Sequence, residues 1–92
     1  MKPTDSNLIA LYQTGNEEAL SILIHRYQSD LFTFILYKIK DEDFANDIFQ
    51  DTFMKIIVML KEGRYNEEGK FILWAKRIAQ NLIIDHFRAK AK

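Results

Sequence analysis

Apolar residues recur three and four positions apart through three long stretches of the chain, and nowhere do apolar and polar residues alternate in the two-residue rhythm of a strand. In the first long stretch Leu20, Leu23, Ile24, Tyr27, Leu31 and Ile35 fall on one side, which predicts a helix capped by Asn16 and running to about Ile39. In the next, Ala45, Ile48, Phe49, Phe53, Ile56, Met59 and Leu60 share a wide arc, so a helix should begin at the acidic residues Asp41 to Asp43 and stop near Glu62. The last arc holds Phe71, Ile72, Ala75, Ile78, Ala79, Leu82, Ile83 and His86, in a helix starting at Lys70. A short helix ahead of these should begin at Thr4 to Ser6 and close at Gly15. Gly15, Gly63 and Gly69 are the only punctuation after Pro3. The expected fold is all-α: one bundle of about four helices over residues 1–92, with its core at about 6–90 and no internal repeat.

The faces left over are the informative ones. On the third helix the side opposite the core carries Asn46, Asp47, Gln50 and Asp51 and then Met54, Ile57 and Val58. Acid and amide groups around an apolar patch suit a basic partner helix that also needs a hydrophobic grip. A neighbouring helix of the same bundle covering Met54, Ile57 and Val58 is the alternative. On the fourth helix Arg77, Asn81 and Arg88 stand at i, i+4 and i+11, bordered by Trp74 and Asp85. They project in nearly one direction. Two guanidinium groups flanking an amide beside a large aromatic could meet phosphates and base edges together. The same residues could form bundle ion pairs, Asp85 with Arg88 or Arg77 with Asp47 or Asp51. We read Arg77 as the more structural of the set and Asn81 as the more functional. Leu73, Ile84 and Phe87 fall outside the core arc and offer a surface for another copy of the chain or for a segment beyond these residues.

Charge sharpens that division. The formal net charge is zero, yet residues 1–40 carry four cationic and four anionic side chains, residues 41–69 three and eight, and residues 70–92 six and one. Local potential, not the total, steers partners, so an acidic third helix and a basic fourth can serve two of them, unless they merely attract each other. There is no cysteine, which removes disulfides and thiolate metal sites and suits a reducing cytoplasm. The apolar runs FTFILY and IIVML are far shorter than the roughly 18–20 residues that span a bilayer. We therefore expect a soluble cytoplasmic protein with no membrane insertion.

Asp43, Asp47 and Asp51 form a ladder of carboxylates, but no Glu-x-x-His motif accompanies them, and no metal or other cofactor is expected. His25 and His86 are far apart, no nucleophile sits in an activating setting, and no glycine loop cradles phosphate, so catalysis is not expected either.

Three segments, NEEALSILIHRYQSDLFTFILYKI, DIFQDTFMKI and FILWAKRIAQNLIIDHFR, occur in an order and spacing that resemble region 2 of bacterial RNA polymerase sigma factors of the extracytoplasmic-function group. The likeness covers about residues 6–90. It implies that Asn46, Asp47, Gln50, Asp51 and Ile57 meet the β′ clamp helices of core RNA polymerase. It further implies that the loop 63–71 and the following helix capture the non-template strand of the minus-ten promoter element, with Tyr65, Lys70, Arg77, Asn81 and Arg88 toward DNA and Asn81 at an extruded base. An anti-sigma factor is a further implied partner.

The chain also departs from the family pattern. Gln80 stands where many members carry a basic residue, and Glu67 and Glu68 would repel phosphate, so the loop should shape a base pocket more than grip the backbone. Tyr65 could stack on a base or anchor the loop. The family's second DNA-binding domain, a helix-turn-helix, is absent from these residues, and the fourth helix runs to the end without a capping signal, as in a piece cut from a longer protein. A helical protein-interaction module, a sigma-like adaptor or anti-sigma target, is the competing reading.

Overall fold

The computed structural model describes residues 2–66 and 68–90. It holds four helices: α1 (Asp5–Gln13), α2 (Glu17–Ile39), α3 (Glu42–Lys61) and α4 (Phe71–Lys90). Each of the first three begins at a side chain that accepts from an orphan amide of the first turn, the usual local start signal. The Asn7 amide donates to Thr4 Oγ1 at 3.0 Å, the Ala19 amide to Asn16 Oδ1 at 3.2 Å and the Phe44 amide to Asp41 Oδ1 at 3.1 Å. These starts and the ends at Gly15 and Gly63 match the sequence expectation within a residue or two. The end of α2 does not use glycine: Lys40 itself takes the left-handed conformation, φ 60°, while its amide donates to the Leu36 carbonyl.

Packing follows the predicted arcs. Helix α1 lies on α2 and α3, α2 on α3 and α4, and α3 on α4. The centre is Leu8, Leu23, Leu31, Ile35, Ile56, Leu60 and Phe71, all fully buried. Phe49, Met59, Ile72, Leu82, Ile24 and Tyr27 are half-buried at its edge. Thr52, absent from the predicted arc of α3, is also fully buried; its hydroxyl donates to the Ile48 carbonyl at 2.7 Å, which satisfies it without a partner from outside the helix.

Two clasps close the bundle. Arg26 donates from Nη1 to Asp5 Oδ1 at 2.7 Å and from Nη2 to the Pro3 carbonyl at 2.9 Å, and the Tyr27 hydroxyl donates to Asp5 Oδ2, so the start of α1 is fixed to α2. At the other end the His86 ring meets Phe44 edge-on at 4.5 Å between centroids and Lys90 Nζ stands 4.3 Å from the centroid of the Phe44 ring, joining the end of α4 to the start of α3. Among the described residues no helix is long and apolar enough to cross a membrane.

Candidate functional site

The loop between α3 and α4 is built around aromatic contacts. Gly63 and Gly69 both have positive φ, 69° and 74°, and let the chain leave α3 and enter α4 through turns that a Cβ would strain. Between them Tyr65 turns inward and is only 9% exposed. Its ring lies 4.3 Å from Trp74 and 5.9 Å from Phe71, and Phe71 meets Tyr27 of α2 at 5.6 Å, all centroid to centroid. A row of rings thus runs from α2 through the base of α4 into the loop. Of the two roles open to Tyr65, anchoring the loop is the one seen.

Above this row is a cleft of about 490 Å³ lined by Arg64, Tyr65, Asn66, Glu68, Lys70, Leu73, Trp74 and Arg77. Three of the residues expected at DNA, Tyr65, Lys70 and Arg77, therefore share one concavity. Asn81 and Arg88 do not line it; both are exposed further along α4, on the strip that Arg77 begins. The ion pairs considered for that strip do not form: among the described residues the salt bridges are Arg26–Asp5, Arg64–Glu62 and Lys76–Asp30, so Arg77, Asp85 and Arg88 take part in none. Arg77 thus forms none of the ion pairs considered for it, and it lines the cleft. The Gln80 amide oxygen is buried, so the end of this side chain turns into the protein. Glu67 lies outside the described residues.

Sequence reasoning missed Arg64, Asn66 and Leu73 as cleft walls. The signal was the polar loop GRYNEEG bounded by glycines with a tryptophan five residues past its end, but only the packing of Tyr65 on Trp74 turns that loop into a wall.

The second surface is the outer side of α3. Asn46, Asp47, Gln50 and Asp51 are all exposed, Met54 is 64% exposed, and Val58 is exposed beside it. No helix of the bundle covers Met54 or Val58, which settles against the covered alternative for those two. Ile57 is half-buried and packs on the core, so only its edge is available to a partner. On α4, Leu73 (61%), Ile84 and Phe87 are exposed as expected.

A model of the Sigma-70 region 2 family matches residues 23–92. Among curated relatives, the chain is 28% identical over 83 residues to the ECF RNA polymerase sigma factor BldN of Streptomyces coelicolor, covering 89% of this chain and 31% of that protein. It is 28% identical over 88 residues to the RNA polymerase sigma-H factor of Pseudomonas aeruginosa, covering 96% and 45%. It is 31% identical over 74 residues to the ECF RNA polymerase sigma factor SigX of Bacillus subtilis, covering 78% and 36%. The chain thus spans less than half the length of these relatives. No solved structure matches it. With most of its residues matched by the family model, and four helices carrying an acidic α3 face and an aromatic-walled cleft at the base of a basic α4, the chain belongs to the sigma-70 region 2 family, in its extracytoplasmic-function group.

Proposed function

We infer that this domain joins core RNA polymerase through the outer side of α3 and holds the non-template strand of the minus-ten promoter element in the loop cleft and along α4, so that promoter DNA opens for transcription initiation. The observation that carries the reading is the cleft itself: Trp74, packed on the loop anchor Tyr65, walls it, Lys70 and Arg77 line it, and Asn81 and Arg88 are exposed further along α4. Aromatic faces accept bases and cations accept phosphates, which together describe a site for single-stranded nucleic acid. Membership of the sigma-70 region 2 family supports this reading. The acidic and apolar α3 face, with Asp47, Asp51, Met54 and Val58 exposed, has the chemistry to receive the basic β′ clamp helices.

The domain works by binding and breaks no covalent bond. Unstacking a base costs a few kcal/mol. Stacking it on an aromatic wall returns about 1–3 kcal/mol per base, and phosphate contacts add a salt-dependent share. Opening is then selection of the single-stranded state, in the cytoplasm where the polymerase works. Exposed Leu73, Ile84 and Phe87 favour one further partner, an inhibitory protein of the anti-sigma kind that would mask α4 through apolar contact.

The test is binding of the chain with core polymerase to fluorescent non-template oligonucleotides. Asn81→Ala and Arg88→Ala should each weaken the complex. Unchanged affinity for both would remove the α4 strip from the site.

A further inference from the structure

Helix α2 carries a second aromatic and basic cluster, apart from the loop cleft. Asp30, Phe34, Tyr37 and Lys38 stand at i, i+4, i+7 and i+8 and so share one face. Lys76 of α4 is drawn onto that face: its Nζ lies 3.1 Å from Asp30 Oδ1 and 5.5 Å from the centroid of the Phe34 ring. Lys38 Nζ lies 5.2 Å from the same centroid. One half-buried ring thus holds two ammonium groups against one carboxylate, leaving an excess of positive charge. Beside them Tyr37 is 78% exposed, the most exposed of the large hydrophobic side chains described.

The fold accounts for only part of this. Lys38 sits in the last turn of α2, where a cation complements the helix dipole, and Lys76 is the partner of Asp30. Neither reason explains an aromatic ring left 78% exposed beside a cluster with one ammonium group in excess of its carboxylate. The core of a protein interface is depleted of charge, whereas Tyr37 stands beside Lys38 and the Lys76–Asp30 pair. Ammonium groups beside a free aromatic face are instead the pairing that receives a phosphate and its base. The location agrees, since Lys76 and Arg77 are consecutive on α4, about 100° apart around its axis. A strand leaving the cleft at Arg77 and crossing α4 would arrive at Lys76.

We propose that Phe34, Tyr37, Lys38 and Lys76 form a second site for single-stranded nucleic acid, in which Tyr37 stacks on a base and the two ammonium groups hold the adjoining phosphate. The site extends the strand path beyond the cleft, and so rests on the reading that α4 carries a single strand.

The experiment is fluorescence anisotropy of the full chain with single-stranded DNA of about 6 and about 16 nucleotides, lengths that bracket the footprint of a small single-strand-binding fold. The longer strand should bind more tightly. Tyr37→Ala should cost the longer strand about tenfold and leave the shorter unchanged, Tyr37→Trp should restore the loss, and Lys38→Gln should lower the salt dependence for the longer strand only. Asn81→Ala should weaken both. Tyr37 is so exposed that its replacement does not endanger folding, and thermal melts of the variants verify this. If Tyr37→Ala and Lys38→Gln bind both lengths like the unaltered chain while Asn81→Ala weakens both, the second site is overturned and the α4 strip stands. If the unaltered chain binds neither length, the second site is overturned as well, and the strip is judged by the polymerase complex described above. A loss in Tyr37→Ala confined to polymerase binding would make this face a protein contact and overturn the proposal too.

Discussion

The ring of Tyr65 stands 4.3 Å from that of Trp74, tilted 45° to it, and this contact makes a wall out of a glycine-bounded loop. Trp74 is the only tryptophan in the chain and lines the cleft, so its fluorescence reports directly on what enters there. A base stacking in the cleft should change the emission of Trp74 in step with binding. Trp74→Ala should weaken single-stranded DNA binding about tenfold, in line with the roughly 1–3 kcal/mol of a stacked base. It should also cost about 2 kcal/mol of stability, less than the roughly 3–5 kcal/mol of a fully buried aromatic, because Trp74 is half-buried. Fluorescence titration and urea melts read the two effects separately. An emission spectrum unmoved by saturating oligonucleotide would place the strand outside the cleft.

The α4 strip divides by chemistry. Arg88 is exposed and in no ion pair among the described residues, so its guanidinium is available to a phosphate. Arg88→Ala should weaken binding across all sequences and lower the slope of log affinity against log salt by about 1. Asn81 is uncharged, so Asn81→Ala should lower affinity without altering that slope and should relax the preference among bases at one position. Titrations at several salt concentrations separate the two. Equal slopes for the two variants would contradict the assignment.

Polymerase binding should depend on the α3 face in both its acidic and its apolar parts. Met54→Lys places a cation in the exposed apolar part of the face proposed to receive a basic helix, and Asp51→Lys reverses a charge in its acidic part. Each should reduce affinity for a peptide pair carrying the β′ clamp helices by about tenfold or more, since like charges facing each other across an interface cost several kcal/mol. Both positions are exposed, so thermal stability should stay within about 0.5 kcal/mol of the original. Surface plasmon resonance gives the affinity, and undiminished binding by both variants would move the interface elsewhere.

The fold was legible in the chain because the amphipathic arcs of α2, α3 and α4 are broad and the caps at Thr4, Asn16 and Asp41 stand directly before α1, α2 and α3. Periodicity and local capping are short-range signals, and they survived into the packed bundle. Thr52 escaped because hydroxyl residues are ordinarily counted as polar, while its bond to the Ile48 carbonyl lets it sit in the core like a valine. The Asp5–Arg26–Tyr27 clasp escaped because it joins residues about twenty positions apart, which no pattern along one helix encodes. The site was half legible for the same reason. The strip of Arg77, Asn81 and Arg88 follows from helical spacing, whereas the cleft depends on a loop folding back on Trp74.

The turn after α2 offers a conformational test. Lys40 adopts φ 60° without being glycine, a backbone state that costs an L-residue about 1–2 kcal/mol. Lys40→Gly should therefore raise stability by about 0.5–1 kcal/mol, the strain relieved being partly offset by glycine's greater freedom in the unfolded chain. Lys40→Ala removes the same charge but keeps the Cβ, so it should bring no gain. Thermal unfolding of the two side by side isolates the backbone term, and a gain shared by both would trace the effect to charge.

Gln80 provides the last test, because its buried amide oxygen has no hydrogen-bond donor among the described residues. An unmet buried acceptor costs about 1–3 kcal/mol, while replacing it with an apolar group of similar shape removes that penalty and adds contact. Gln80→Leu should accordingly raise stability by about 1 kcal/mol in urea unfolding, with an unchanged m-value showing that the folded state is the same. Gln80→Glu puts a charge where the unmet oxygen lies and should destabilise by more than the leucine gains. DNA binding should be unaffected by Gln80→Leu, since the side chain turns away from the strip that Arg77, Asn81 and Arg88 form. A leucine variant that is less stable than the original would mean that the amide is satisfied in solution, and a leucine variant that binds DNA more weakly would put Gln80 itself in the interface.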